Sequence, residues 1–262
     1  MRTPVRIFTV LIILILPVSS VFAFDVLGLQ PLPPYGVFST FSAESLKQND
    51  VGIGLGFEKA TNPVFYRTVA QLAYGLHDRF EIDVTLPFDF NWEHSSSGLE
   101  DAYFGIKHRI LDEGRYNPAV AYILTVATPS GNADFSTHGQ HGLGLLFTKK
   151  IGPFNGHLNV VYDKPNRSDL KEEYNFNLGA ELAVTHDSNV LAEVITSKDF
   201  FKNSIDLLEW RLGYRIATLE NLYTTLGVGF DVRKPTPDYR LLFSVSFILP
   251  KEKKKPEKIF EE

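Results

Sequence analysis

The sequence predicts an all-β fold, an antiparallel transmembrane β-barrel of about twelve strands of the bacterial outer-membrane type. The first observation behind this prediction is the segment from Phe80 to Trp92, in which apolar and polar residues alternate without a break. Because successive side chains of a strand point to opposite faces, the segment has one apolar and one polar face. A strand tilted across a bilayer needs about nine to eleven residues, with lipid on one side and a polar lumen on the other.

Three further observations favour membrane strands. Strands of soluble sandwiches usually have about five or six residues, and the segment is roughly twice as long. Beyond residue 23, no segment approaches the roughly 18 consecutive apolar residues of a membrane helix. The chain also contains 21 Phe and 11 Tyr, which suit the aromatic girdles at headgroup level on membrane barrels.

The N-terminus resembles that of an exported protein. Arg2 and Arg6 flank the start of an apolar run from Ile7 to Leu16, and the small residue Ala23 follows. This pattern predicts a secretory signal peptide at residues 1–23, cleaved on export. A membrane anchor helix is the alternative, but the apolar run is too short to span the hydrocarbon comfortably. We therefore expect the mature chain in the bacterial outer membrane.

The mature chain divides into three parts. Residues 24–50 contain Pro31, Pro33 and Pro34, which break strands, so this stretch is expected to be a periplasmic segment or a plug. Residues 51–249 form the predicted barrel. Residues 250–262 are a lysine-rich periplasmic tail, which either binds anionic headgroups or, as its interleaved acids favour, is a solvated end.

The charge and the cysteine content exclude several classes of function. Loss of the signal peptide, with its two arginines, leaves 24 basic against 31 acidic residues and a net charge of about −7, which argues against nucleic acid as a partner. Without cysteine, neither disulfides nor thiolate metal sites can form. No cofactor is expected. The expected partners are outer-membrane lipid, a small-molecule solute and the barrel-assembly machinery.

Strand alternation recurs along the barrel region. The first strand alternates apolar residues with Gly52, Gly54 and Gly56, so its inner face is nearly bare. An even number of strands returns both ends to the periplasm, where the short links also lie, whereas the long links 129–141 and 164–173 face outside. A strand at 36–42 would break this parity. The twelve predicted strands are 51–58, 66–74, 80–92, 101–111, 119–127, 143–150, 157–162, 174–185, 190–197, 205–216, 223–232 and 239–248.

Charged residues occupy the predicted inner face. Acids on one strand oppose bases on its neighbour, and such cross-strand pairs would stabilise the wall. As a pore lining, they would hold a hydrated path and bias which solutes pass. The alternative is that opposite charges pair into a plug and the barrel conducts nothing. The predicted lumen-lining residues are Arg67, Glu81, Asp83, Asp89, Asp101, Lys107, Arg109, Glu181, Glu209, Arg211, Arg215 and Asp231.

Short glycine-rich motifs carry a family resemblance. They are YGLHDR at 74–79, GLED at 98–101, GIKHR at 105–109 and TPSG at 128–131. With them, the chain from about Val51 to Phe247 resembles the outer-membrane transporter-like family associated with the meta-pathway of phenol degradation. The resemblance implies a barrel that passes small, often aromatic, organic compounds, and it carries over no set of binding residues.

The favoured function is therefore passive passage of small organic solutes, without chemistry. A closed structural or interaction barrel is the first alternative, and an outer-membrane lipid hydrolase is the second. The hydrolase candidates are His94 with Ser95 to Ser97, and Ser136 with His138 and His141. Neighbours in sequence are not yet a nucleophile and base at hydrogen-bond distance, and Ser and His are ordinary residues of loops.

The same loop contains residue types that can bind a metal ion. Asp134 together with His138 and His141 offers loosely spaced ligands. Such a spacing in a glycine-containing loop is more typical of a solvated polar loop, so no metal site is expected.

Overall fold

The computed structural model describes residues 29–61, 64–92, 96–199, 207–232 and 238–250. The predicted signal peptide, residues 251–262 of the predicted tail, His94 and Ser95 lie outside these ranges. No helix in the described part of the chain is long and apolar enough to cross a membrane. The strands are β1 (Val51–Thr61), β2 (Val64–His77), β3 (Phe80–Trp92), β4 (Ser96–Leu99), β5 (Tyr103–Leu111), β6 (Ala119–Ala127), β7 (Gln140–Ile151), β8 (Phe154–Pro165), β9 (Glu173–Thr185), β10 (Ser188–Asp199), β11 (Leu207–Leu219), β12 (Leu222–Asp231) and β13 (Tyr239–Leu249).

All strands except β4 close into an antiparallel barrel of twelve. Successive strands pair in chain order, and β1 closes the wall against β13, from the pair Val51 and Leu249 to the pair Ala60 and Arg240. The prediction of a twelve-stranded antiparallel barrel is confirmed. Both ends of the barrel, Val51 and Leu249, lie at one rim, which we call the terminal rim; the opposite end is the loop rim.

One predicted strand starts two residues later than expected, and a short additional strand precedes it. The sequence predicted a strand at 101–111, but β5 begins at Tyr103 and is preceded by the short β4. Both pieces pair with β3, β4 with its half towards the loop rim and β5 with its half towards the terminal rim. The ladder breaks at Glu100 and Asp101 because their carboxylates bind groups off the ladder, an arginine of β2 and the loop after β6.

The wall has the two faces that alternation predicts. On β3, Leu86 is 48% exposed on the outer face, whereas Glu81 on the inner face is 3% exposed. Aromatic rings mark both edges of the outer surface. Tyr66 and Phe90 stack towards the loop rim with centroids 5.4 Å apart, and His108 meets Tyr122 edge-on towards the terminal rim, also at 5.4 Å. Such girdles are typical of membrane barrels.

Residues 29–50, which we call the luminal segment, lie inside the barrel. Its side chains form two buried apolar clusters with the inner wall. Leu29, Phe41 and Ala43 pack in one cluster, and Leu32 and Leu46 pack in the other. Residues 36–42 add no strand to the wall and form only a single bridge between Gly36 and Phe41. The interior is therefore filled by a separate stretch of chain.

The outer face predicts a depth-dependent response to charge. Leu86→Arg at mid-height of β3 should lower the free energy of unfolding by about 2–4 kcal/mol, because lipid at the bilayer centre cannot solvate the guanidinium. Leu219→Arg at the terminal-rim end of β11 is the control, with a cost of about 0–1 kcal/mol near the interface. Urea unfolding in lipid vesicles measures both. Equal costs would contradict the placement of Leu86 in lipid.

Candidate functional site

Glu193 on β10 is the main acceptor for the luminal segment. Its Oε1 accepts hydrogen bonds from the backbone N–H of Ser39 at 2.8 Å, and from the backbone N–H and hydroxyl of Thr40, both at 2.6 Å. Asn159 on β8 adds a two-way contact, because its amide accepts from the N–H of Phe41 and donates to the carbonyl of the same residue. Hydrogen bonds to a charged acceptor are among the stronger ones in proteins.

Further anchors come from strands around the rest of the barrel. The N–H of Ala43 donates to Thr148 Oγ1 on β7, and the N–H of Leu46 donates to Glu81 Oε2 on β3. The carbonyls of the segment accept from Arg215 on β11, Ser246 on β13 and Gln71 on β2. From residue 46 back to residue 30, these partners follow the order of the strands around the wall. The luminal segment thus makes one circuit of the interior.

Glycines on the inner wall receive the apolar side chains of the segment. A Cβ added at Gly52 would lie 2.1 Å from Leu32 Cδ2, and one added at Gly227 would lie 2.4 Å from Phe38 Cε1. Any larger residue there would therefore collide with the segment. Leu32 packs against the inner face of β1, which the sequence predicted to be nearly bare.

Seven charged side chains form a continuous chain of contacts across the inner wall, which we call the charged belt. Arg67 donates from Nη2 to Glu100 Oε2 at 2.7 Å, its Nε lies 2.5 Å from Glu100 Oε1, and its Nη1 lies 3.9 Å from Glu58. Arg240 joins Glu58 to Glu209, with 3.1 Å to the latter. Arg211 continues from Glu209 to Glu193 and also donates to Ser39 Oγ of the segment. The charged belt consists of Glu58, Arg67, Glu100, Glu193, Glu209, Arg211 and Arg240.

Two smaller charge groups lie outside the belt. Lys107 Nζ is 2.8 Å from Glu81 Oε1, and Arg215 Nη1 is 3.2 Å from Glu181 Oε1. The imidazole of His157 lies 3.6 Å from the same Glu181 oxygen, and its Nδ1 is 3.0 Å from Thr148 Oγ1. Buried charges are costly unless they are paired, and these contacts supply the pairing.

A small cavity lies between the luminal segment and one part of the wall. This cavity, of about 40 Å³, lies beside the belt, between the segment and strands β1, β2 and β11 to β13. It has room for a few water molecules and for no organic solute. Gln30, Ser39, Glu58, Gln71, Arg211 and Thr225 are among its lining residues.

Of the twelve residues predicted to line the lumen, all but Arg109 are buried. Arg109 lies at the terminal rim, where it contacts Asp112 at 3.0 Å and donates to the carbonyl of Asp78. It is two residues from the end of β5, so its side chain reaches the turn and not the interior. Asp101 is buried in the break between β4 and β5 and binds a loop. These two positions differ from the lining role that the sequence indicated.

The sequence analysis missed three important inner-wall residues, Glu193, Asn159 and Thr148. Each is the polar member of an alternating stretch, and Glu193 stands between Ala192 and Val194 in an otherwise apolar part of β10. A strict test of alternation on every strand would have placed all three on the inner face. Their bonds to the luminal segment could not be read from the sequence, because the path of that segment has no periodic signal.

Asp101 organises the loop between β6 and β7. Its carboxylate accepts hydrogen bonds from the N–H groups of Gly131 and Thr137 and from the hydroxyls of Ser136 and Thr137, at 2.6 to 2.9 Å. Burial raises the pKa of Asp101, but the hydrogen bonds from Thr137, Ser136 and Gly131 outweigh burial and set the pKa below its ordinary value. The carboxylate is therefore charged at neutral pH and keeps the loop folded.

The same contacts bear on the hydrolase alternative. Ser136 Oγ donates to Asp101 at 2.7 Å and accepts from the backbone N–H of His138 at 3.0 Å. A nucleophilic serine would give its proton to an imidazole that a third group orients. The hydroxyl of Ser136 is instead engaged in holding the loop.

In the described ranges, no group of three or more His, Asp or Glu side chains is arranged to hold a metal ion.

Comparison with known proteins gives a family and a fold. The family model described as "Putative MetA-pathway of phenol degradation" matches residues 56–236. A comparison with curated protein sequences finds no significant match. An outer membrane channel from Pseudomonas putida F1 superposes with a TM-score of 0.62 at 15% identity, over 79% of this chain and 98% of that one.

Two porin structures are also similar. The KdgM porin, solved in complex with disordered oligogalacturonate, has a TM-score of 0.58 at 9% identity, over 75% of this chain and 98% of that chain. The NanC porin has a TM-score of 0.58 at 8% identity, over 74% of this chain and 98% of that chain. At these identities, the likeness shows the outer-membrane barrel fold alone.

Removal of the main acceptor should loosen the luminal segment. In Glu193→Ala, the amides of Ser39 and Thr40 lose their acceptor, at a cost of about 1.5–3 kcal/mol for each bond to a charged group. Hydrogen exchange at these two amides should become at least tenfold faster. The control is Thr196→Val on the outer face of the same strand, which should leave both amides protected. Unchanged protection in Glu193→Ala would refute the anchoring role.

The loop after β6 should open when Asp101 loses its charge. Because the folded-state pKa is lowered, the carboxylate contributes stability above its unfolded pKa of about 3.9, and this stability is lost as the pH falls through the lower folded value. The wild-type loop should therefore stay protected from hydrogen exchange at Gly131 and Thr137 between about pH 5 and 7. Asp101→Asn should expose both amides at pH 7, whereas Asp134→Asn in the exposed part of the same loop should not. Equal protection in both variants would contradict this role.

Proposed function

The chain belongs to the family of the MetA-pathway of phenol degradation, and on that premise we propose that it is an outer-membrane channel for passive passage of small organic solutes, aromatic ones included. The outer-membrane channel and the two porins of similar fold are compatible with this function. We further propose that the luminal segment closes the passage in the state described and that its displacement opens it.

The observation that carries the proposal is what fills the barrel. Eight-stranded barrels are filled by the side chains of their own wall, whereas a wider barrel leaves space. Here glycines such as Gly52 and Gly227 leave the wall bare where the luminal segment packs. A barrel built only as a solid support would be expected to fill its core from the wall. Displacement of one stretch of chain would leave a polar lumen of a width between those of small barrels and general porins.

The inner-wall charges have two roles in this proposal. In the closed state, they pair with one another and with the luminal segment, which offsets the cost of their burial. In the open state, they face water and form the lining of the path. This lining consists of the buried residues of the predicted set other than Asp101, which number ten, together with Glu58, Glu100, Glu193 and Arg240. Asp101 contributes at the loop rim, through the fold of its loop.

The route to the membrane completes the proposal. A signal peptide at residues 1–23 would direct export, and the barrel-assembly machinery would insert the chain. The last strand, with Tyr239, Phe243 and Phe247 exposed on its outer face, supports this assembly route. The outer surface would contact outer-membrane lipid. The chain would act without catalysis, and neither a cofactor nor nucleic acid would be needed.

A variant that displaces the luminal segment tests the channel. In Gly52→Leu, the three atoms nearest to the added Cβ all belong to side chains, those of Leu32, Ile248 and Leu46, so we expect the segment to yield while the wall keeps its backbone. We expect single-channel currents in planar bilayers to be rare in the wild type and at least tenfold more frequent in this variant. Gly227→Leu is a second variant, whose added Cβ displaces Phe38 and also lies 3.3 Å from the backbone carbonyl oxygen of Leu212.

The control lies on the same face of the same strand. A Cβ at Gly56 would be 3.7 Å from its nearest neighbour, an ordinary contact, so Gly56→Ala should conduct as the wild type does. Heat-modifiable mobility in gels confirms that each variant forms a barrel. If folded Gly52→Leu and Gly227→Leu barrels both remain silent, the channel is refuted and a closed structural barrel becomes the better explanation.

A further inference from the structure

We propose that the open passage is selective for cations, so that it admits small organic cations and excludes organic anions of the same size. This inference rests on the proposed channel function and adds the charge class of its solutes. It is argued from the charge balance of the inner wall, the engagement of its bases, its unpaired carboxylate oxygens and the groups with which the luminal segment meets the wall.

The described part of the barrel has a strongly acidic interior. Between Val51 and Leu249, ten acidic and five basic side chains are buried. A confined space lined by one sign of charge raises the local concentration of counterions and lowers that of ions with the same sign. The buried acids are Glu58, Glu81, Asp83, Asp89, Glu100, Asp101, Glu181, Glu193, Glu209 and Asp231, and the buried bases are Arg67, Lys107, Arg211, Arg215 and Arg240.

Each of the five buried bases already has a carboxylate partner. The distances are 2.7 Å for Arg67 to Glu100, 2.8 Å for Lys107 to Glu81, and 3.1 Å for Arg240 to Glu209. Arg211 contacts Glu209 and Glu193, and Arg215 contacts Glu181. An organic anion would have to displace one of these carboxylates and then remain close to it. Arg67 Nε and Arg211 Nη2 have no hydrogen-bond partner, and Arg211 and Arg215 also donate to the luminal segment. Each of these guanidinium groups nevertheless stays in contact with a carboxylate of the wall, so an anion would approach it against that negative charge.

Carboxylate oxygens, in contrast, are left without a hydrogen-bond donor. Asp83 Oδ2 and Asp89 Oδ1, both on the inner face of β3, have none, although their residues are only 5% and 2% exposed. The nearest cation to Asp89 Oδ1 is Arg67 Nε at 3.9 Å, too far for a hydrogen bond. Opposite Asp83 on β5 stands Gly105, which has no side chain to donate. These oxygens can accept from a passing ammonium group.

The luminal segment meets the acids as a donor. It offers two N–H groups and a hydroxyl to Glu193 and one N–H group to Glu81. When the segment leaves, these carboxylates lose four donors and must be satisfied by water or by the solute. Burial of such acceptors without donors is costly, so solutes that bring donors or positive charge replace the segment best.

The reversal potential of the open variant tests this inference. Gly52→Leu is measured in a planar bilayer under a KCl gradient, and then with benzylammonium chloride opposed to potassium benzoate, two organic ions of nearly equal size. We expect a cation-to-anion permeability ratio on the order of ten. Added Asp83→Asn and Asp89→Asn should lower this ratio at least threefold. Asp187→Asn in the exposed turn between β9 and β10 is the matched control and should leave the ratio unchanged.

The outcomes separate the two proposals. Currents with a ratio at or below one would overturn cation selectivity while the channel stands. A high ratio that Asp83→Asn and Asp89→Asn do not lower would overturn the role of these carboxylates. An absence of current from folded Gly52→Leu and Gly227→Leu barrels would overturn the channel itself, and cation selectivity with it.

Discussion

The structure depends on one constraint, that every backbone N–H and C=O in the hydrocarbon must find a partner within the protein. A sheet satisfies this only when it closes, and the pairing of β1 with β13 removes the last free edge. Closure with twelve strands then encloses more space than the wall's own side chains occupy. The luminal segment occupies this additional space, and the inner-wall glycines make room for its side chains.

The luminal segment brings polar backbone groups into the barrel, and these groups determine where the inner wall carries charged side chains. A polypeptide inside the barrel brings its own N–H and C=O groups, which require partners as strictly as those of the wall. Glu193, Asn159 and Arg215 provide them. Charges placed for this purpose need counter-charges, and the charged belt supplies them from five strands and the break after β4. The interior is therefore held together by specific pairs more than by apolar packing, and specific pairs can exchange partners.

The sequence predicted the wall better than its contents. Alternation with a period of two places Glu81, Arg67 and Arg211 on the inner face because that period is a local property of each strand. Local periodicity also predicted the number of strands. It could not predict that Glu100 and Asp101 break a strand, since the cause is their bonds to Arg67 and to a loop distant in sequence. The role of Glu193 was hidden for a similar reason, as it depends on residues more than 150 positions away.

Because the luminal segment makes one circuit of the interior, it contacts the strands of the wall one after another and can detach from them in stages. Asp50 continues directly into β1, and the carbonyl and N–H of Gly75 hold the neighbouring backbone at the terminal rim. A segment fixed at Asp50 and bound to successive strands would detach in steps, between the contact of Gln30 with Gln71 and the contact of Leu46 with Glu81. Each step would break one to three hydrogen bonds, with three at Glu193. The aperture would widen in increments, with partly detached states between shut and open.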